Sequence, residues 1–154
     1  MFYPARVYPR RATIIHGQSK VVTGASMVMF SSSNGNQIFG VYWQQSPAFN
    51  GDAFSSAIFL GAGSYKITLM GSKQSNCGLL TISLDGVAML TNVDFYSATS
   101  VFNVDLSGAT ITVGTSGMHL LSGVVTGKNA SSTGYGIFLT YIEFLPLTET
   151  TLLG

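Results

Sequence analysis

The amino-acid sequence predicts an all-β protein, an antiparallel jelly-roll sandwich with an extended N-terminal arm. Three observations support this fold class. Residues 80–84 (LTISL) alternate apolar and polar side chains, the period of a strand with one buried face. Similar short segments recur along the chain, separated by turn residues at intervals of about 8–12 positions. No amphipathic pattern of period 3.6 persists for the roughly three turns that a helix would need.

The first part of the chain predicts an arm followed by short strands. Residues 1–11 contain Pro4 and Pro9 and have no periodicity, which indicates an extended segment outside a central sheet. Because aromatic residues are interspersed with arginines in this arm, we expect it to be ordered against a surface, either a neighbour or its own domain. Strands are predicted, in order, at residues 12–16, 20–23, 26–30, 38–43 and 54–60, with loops at 31–36 and 47–52.

From residue 63 onward the strand pattern is regular. Asp85 and Gly86 separate two apolar segments and predict a type I′ hairpin turn, which needs two positive φ angles. Further strands are predicted at 92–96, 101–106, 110–113, 118–125 and 135–145. The sequence therefore predicts three regions. They are an arm and lead-in at 1–24, a jelly-roll domain at 25–146 and a C-terminal tail at 147–154. The predicted core consists of Tyr65, Ile67, Leu69, Leu80, Ile82, Leu84, Leu120, Ile142 and Phe144.

Composition narrows the possible partners. Charged residues make up 8% of the chain, against about 25% in an average protein, so the surface is covered by neutral polar groups or by another protein. This scarcity of charge predicts self-association, most simply as a homotrimer. No apolar run approaches the roughly 20 residues of a spanning helix, so no membrane is expected. The segment before residue 52 has a charge of +4 and the remainder −3, which gives the net charge of +1.

The sequence contains no convincing catalytic or metal-binding pattern. His16, His119 and the single Cys77 do not have the spacing of a zinc site, and no Gly-x-Ser-x-Gly or phosphate-binding loop is present. His119 could be combined with Asp94 or Asp105 and a serine on paper, but the abundance of serine makes such combinations expected. Cys77 is predicted to be a small, semi-buried structural residue. We therefore expect a protein that is not an enzyme, has no cofactor and binds no nucleic acid.

Five segments resemble a jelly-roll module that is common in structural proteins of tailed bacteriophages. They lie within residues 63–144, which make up about half of the 154 residues, and similar modules occur in head decoration proteins, tail fibres and carbohydrate-binding domains. The segments are 63–69 (GSYKITL), 81–86 (TISLDG), 117–121 (GMHLL), 127–132 (GKNASS) and 134–144 (GYGIFLTYIEF).

The resemblance implies a viral structural protein, and the arm suggests which kind. The main interpretation is a capsid decoration (cement) protein that binds the major capsid protein on the outside of a phage head. It would be made in the host cytoplasm, since the N-terminus lacks a signal-peptide pattern, and would stabilise the virion through contacts between subunits. The arm would bind the shell or a neighbouring copy through aromatic anchors and arginines, namely Phe2, Tyr3, Arg6, Tyr8, Arg10 and Arg11.

The alternative interpretation is a carbohydrate-binding jelly-roll module of a tail fibre or receptor-binding protein. Such a module would stack exposed aromatic rings on a sugar and flank them with Asn, Gln or Asp. The candidate rings are Tyr42, Trp43, Tyr96 and Tyr135, although Trp43 lies in an apolar run that favours the core.

Overall fold

The computed structural model describes residues 13–16, 21–23, 27–30, 40–43 and 49–147, with side chains from residue 49 onward except Ser56 and Asn103. The arm residues 1–11 and the tail residues 148–154 lie outside this part of the chain, so the predicted arm contacts remain predictions. The described residues form eleven strands: β1 (Thr13–His16), β2 (Val21–Thr23), β3 (Met27–Phe30), β4 (Gly40–Trp43), β5 (Ala53–Leu60), β6 (Gly63–Lys73), β7 (Gly78–Leu84), β8 (Val87–Asp94), β9 (Val101–Val113), β10 (Gly117–Lys128) and β11 (Phe138–Pro146).

The strands form two antiparallel sheets that make a jelly-roll sandwich, as the sequence predicts. One sheet has the order β3-β4-β11-β6-β9, with β1 also paired to β11, and we call it sheet A. The other, sheet B, has the order β2-β5-β10-β7-β8. Among the described residues, no helix has the length and apolar character needed to cross a membrane.

The core lies between the two sheets and contains most of the predicted residues. Alternate side chains of β6, β7 and β11 point inward, so Ile67, Ile82 and Phe144 have no exposed surface. Leu84 is half-buried and packs against this core. The prediction for Leu120 was wrong, since this side chain is 50% exposed. Leu121 is buried in its place, because its register against Leu84 of β7 directs it inward.

Several predicted strand limits differ from the structure. The predicted strands at 101–106 and 110–113 are one strand, β9, which pairs with β6 from Gly63 to Lys73 with two register shifts. Bulges of this kind absorb extra residues without ending a strand. Within the predicted lead-in 1–24, β1 pairs with β11 and β2 pairs with β5, so the described part of the lead-in belongs to the two sheets. The 85–86 turn is confirmed, with φ angles of 49° at Asp85 and 81° at Gly86.

Candidate functional site

Three connections between the sheets meet at one end of the sandwich. They are residues 74–77 between β6 and β7, 95–100 between β8 and β9, and 129–137 between β10 and β11. The 74–77 turn holds the other two connections through backbone hydrogen bonds. Ser97 N donates to Gln74 O at 3.2 Å, and Gly136 N donates to Asn76 O at 3.0 Å. The turn thereby brings together segments that are far apart in the sequence.

A buried serine and a glycine fix this junction. The Ser132 hydroxyl is 5% exposed and lies 2.6 Å from the Cys77 carbonyl oxygen, its shortest acceptor contact. Gly78 has no room for a side chain, since a Cβ there would lie 3.0 Å from Gly127 O and 3.1 Å from Tyr135 O. The 129–137 connection therefore packs backbone to backbone against the start of β7. Its conformation depends on this close approach.

Asp94 joins the 95–100 and 129–137 connections. Its Oδ1 accepts a hydrogen bond from Tyr96 N at 2.8 Å, and its Oδ2 accepts one from Asn129 Nδ2 at 2.9 Å. Next to Asn129, the Lys128 ammonium lies over the Tyr135 ring, 5.2 Å from its centroid, in a cation–π contact. We call these five residues, Asp94, Tyr96, Lys128, Asn129 and Tyr135, the Asp94 cluster.

The Asp94 cluster has the chemical groups that bind a sugar. Tyrosine rings present an apolar surface to the C–H groups of a pyranose and a hydroxyl to its polar edge. Both tyrosines are half-buried, so each ring is held in place while part of it stays accessible. A carboxylate has about four lone-pair positions, and Asp94 uses two of them for Tyr96 and Asn129. The remaining positions are suited to accept hydrogen bonds from sugar hydroxyls.

The structure brings together two of the four aromatic residues that the sequence proposed for sugar binding. Tyr96 forms an isolated β-bridge with Gln74. Gly136, the residue after Tyr135, forms another with Cys77. Both tyrosines therefore belong to segments that pair with the 74–77 turn. The side chains of Tyr42 and Trp43 lie outside the described part, although their backbones belong to β4. The sequence analysis did not select Lys128 and Asn129. The hydrogen bond from Asn129 reaches a residue 35 positions away, so only the topology reveals it.

The opposite end of the sandwich contains an interaction between Asp85 and His119. His119 Nδ1 lies 2.6 Å from Asp85 Oδ2, and His119 Nε2 lies 2.9 Å from the Thr115 carbonyl oxygen. Because both partners accept hydrogen bonds, the ring satisfies both contacts only as an imidazolium. The hydrogen bond to Asp85 is the main cause of the raised pKa of His119, and the same bond lowers the pKa of Asp85.

This pair has a structural role. Asp85 Oδ1 also accepts a hydrogen bond from Leu120 N at 2.8 Å, so the carboxylate ties the β7–β8 hairpin to β10. His119 therefore pairs with Asp85 and not with Asp94 or Asp105, and its second nitrogen is bonded to a carbonyl group. Among the described residues, no group of three or more His, Cys, Asp or Glu side chains could hold a metal ion.

Cys77 is a structural residue, as predicted. It has no exposed surface, and burial raises the pKa of its thiol to about 12. A thiol of that pKa is protonated at neutral pH, whereas the thiolate is the reactive form.

Comparisons with known proteins show similarity to solved structures of the same fold. No protein-family model matches the chain, and neither does any curated protein sequence. The structure is similar to xanthan lyase of Paenibacillus, with a TM-score of 0.74 and 17% identity over 94% of this chain. This chain spans only 14% of the length of that lyase.

Two free-standing modules have the same fold. A family 35 carbohydrate-binding module from Clostridium thermocellum superimposes with a TM-score of 0.58 and 14% identity, covering 87% of this chain and 97% of the module. A CBM36 module in complex with calcium and xylotriose gives a TM-score of 0.55 and 15% identity, covering 86% and 98%. At these identities the likeness establishes the fold alone, which is the jelly roll of carbohydrate-binding modules.

Proposed function

We propose that this chain is a carbohydrate-binding module and that it binds a saccharide at the Asp94 cluster. The observation that supports the site is the pairing of the Asp94 carboxylate with the backbone of Tyr96 and the side-chain amide of Asn129, whose neighbour Lys128 lies over the Tyr135 ring. Binding sites for small ligands combine an apolar surface with a few positioned polar groups, and this cluster has both. Similarity in fold to two modules described as carbohydrate-binding supports the class of ligand.

In the free protein, the Lys128 ammonium lies over the Tyr135 ring, and Tyr135 also packs against the core. A saccharide that stacks on this ring would replace the ammonium, whose flexible side chain can move aside.

The experiment compares wild type with Tyr96→Ala and Tyr135→Ala by affinity electrophoresis in gels that contain soluble plant and bacterial polysaccharides. Tyr141→Ala is the matched control, since Tyr141 is also half-buried but lies on β11 of sheet A. Loss of one stacked ring should weaken binding about tenfold, because aromatic contacts contribute roughly 0.5–1.5 kcal/mol beyond the area they bury. The proposal fails if wild type is not retarded by any polysaccharide. It also fails if the two cluster variants bind as tightly as Tyr141→Ala.

Capsid decoration stays a prediction from the sequence, together with the major capsid protein as partner, the virion as location and the homotrimer. The arm residues on which that interpretation depends lie outside the described part of the chain. The expectation that the protein is not an enzyme likewise stays a prediction. The position of the protein in a purified phage particle would test the capsid interpretation directly. A fibre location would be compatible with both a phage origin and sugar binding.

A further inference from the structure

The outer face of sheet B exposes a row of large apolar side chains. Phe59 of β5 is 63% exposed, and Met118 of β10, its partner in the strand register, is 66% exposed. Leu120 and Val124 follow on the same side of β10, with exposures of 50% and 37%. We call these four residues the β10 face. They form one continuous surface, because side chains two positions apart on a strand lie on the same side.

The two outer faces of the sandwich differ in charge. On sheet A, the outward positions include Lys66, Asp105 and Glu143. On sheet B, the described outward positions of β5, β7 and β10 around the β10 face are small, apolar or hydroxylated. They are Ala53, Ser55, Ala57, Leu79, Thr81, Ser83, Ser122 and Thr126. The outward charge of sheet B lies one strand further out, on β8, where Asp94 pairs with Leu79. Sheet A therefore has the charges of a solvated surface, and this part of sheet B does not.

Two hydroxyl groups beside the β10 face, those of Thr81 and Thr126, already have partners. Thr126 Oγ1 donates to Asn92 Oδ1 at 2.7 Å and lies 3.2 Å from Thr81 Oγ1, which accepts a hydrogen bond from Asn92 N at 3.1 Å. A sugar would need hydrogen-bonding groups that are free to pair with its hydroxyls. An apolar protein surface would not, so these bonds favour a protein over a saccharide as the occupant.

We propose that the β10 face is a contact surface between copies of this chain. In a two-fold contact both copies use the same face, so a buried charge would need an opposite charge elsewhere on that face to pair with. The β10 face has no such charge, and its apolar side chains suit an identical surface. The low charge content of the sequence predicts self-association, and we propose that it takes place at this face of sheet B.

The size of the face indicates how strong the contact is. The face and its neighbours extend over three strands, β5, β10 and β7, which lie about 4.8 Å apart. Along the strands they extend over about seven residues, each with a rise of roughly 3.4 Å. The surface is therefore roughly 14 by 24 Å. A stable standard interface buries about 800 Å² per partner, which is about twice this area. We therefore expect association that depends on concentration within the micromolar range.

The experiment is sedimentation velocity of the full chain from roughly 1 to 200 µM, the range of a weak interface of this kind. Val124→Lys places an ammonium on the β10 face. Val101→Lys is its matched control, because Val101 has the same exposure of 37% but lies on β9 of sheet A. Met118→Lys is a second test at a more exposed position. Far-UV circular dichroism checks that each variant is folded.

Wild type and Val101→Lys should associate as their concentration rises. Val124→Lys and Met118→Lys should dissociate at least about tenfold more readily, because an interface would bury their charge without a partner. The proposal is overturned if wild type is monomeric throughout, or if the face variants associate as wild type does. It is also overturned if Val101→Lys dissociates equally. If Met118→Lys loses polysaccharide binding while wild type is monomeric, the face binds sugar and this assignment is wrong.

Discussion

Gly123 of β10 lies directly opposite Phe54 of β5, and the Phe54 ring occupies the space that a side chain at Gly123 would need. A Cβ at Gly123 would meet Cε1 of that ring and lie 2.6 Å from its Cζ. Carbon atoms in contact are usually about 3.5–4.0 Å apart, so the ring would have to move by about 1 Å. Phe54 is only 1% exposed, so its ring lies within the core. Gly123→Ala should therefore destabilise the fold.

Two opposing effects determine the magnitude for Gly123→Ala. Overpacking a core costs about 1–3 kcal/mol. Replacing glycine by alanine in a strand restores roughly 0.5–1 kcal/mol by reducing the entropy lost on folding. The backbone of Gly123 does not have a positive φ angle, so no further strain is added. The expected net loss is about 1–2 kcal/mol in the free energy of unfolding.

Urea denaturation followed by far-UV circular dichroism measures this loss as a lower midpoint with an unchanged m value. Gly114→Ala is the matched control, since no atom lies within 4 Å of a Cβ at that position, and its midpoint should stay the same or rise slightly. In a Phe54→Leu background, which removes the ring, Gly123→Ala should cost less, and the difference measures their coupling. Equal midpoints for Gly123→Ala and Gly114→Ala would refute this account of the packing.

Three further predictions concern the core and the titratable groups. Ile82→Ala should cost roughly 2–5 kcal/mol by the same denaturation measurement, since Ile82 is fully buried, and a cost below about 1 kcal/mol would contradict this burial. Folding raises the pKa of His119 and lowers the pKa of Asp85, so the interaction between them stabilises the fold. This stabilisation should be greatest between pH 3.8, the usual pKa of Asp, and pH 6.5, the usual pKa of His. The stabilisation is lost as the pH rises through the raised pKa of His119 or falls through the lowered pKa of Asp85. The urea midpoint of wild type should thus exceed that of His119→Gln most within that window, and a pH-independent difference would contradict the ion pair. Cys77 should resist a thiol reagent at pH 8 until urea unfolds the protein, because its pKa is about 12.

The sequence predicts the strands well where one face is apolar and the other is polar. Residues 80–84 and the 85–86 turn are examples, because local alternation and turn chemistry determine them. On β10 the sequence is apolar on both faces, with Leu120 outside and Leu121 inside, so alternation cannot decide which side is buried. The register against β7 decides it, and that is a tertiary property.

The candidate site was only partly predictable for a similar reason. Tyr96 and Tyr135 could be selected as aromatic residues near polar loops. Their association depends on the 74–77 turn, which bonds to two connections distant in the sequence. The partner of His119 is also set by topology, since Asp85 lies 34 positions before it. Residue types therefore indicate which chemistry is available, and the strand order determines which groups meet.

The most direct test of sugar binding is to map a bound oligosaccharide on the protein by ¹⁵N-edited NMR titration. The titrated saccharide would be a fragment of whichever polysaccharide retards the protein in the affinity gel. We expect amide shifts to concentrate at residues 94–97 and 128–136, around Asp94 and the two tyrosines, and Tyr96→Ala to raise the saccharide concentration needed for half-maximal shifts about tenfold. Shifts centred on residues 118–124 of β10, or no shifts with any saccharide, would contradict this expectation.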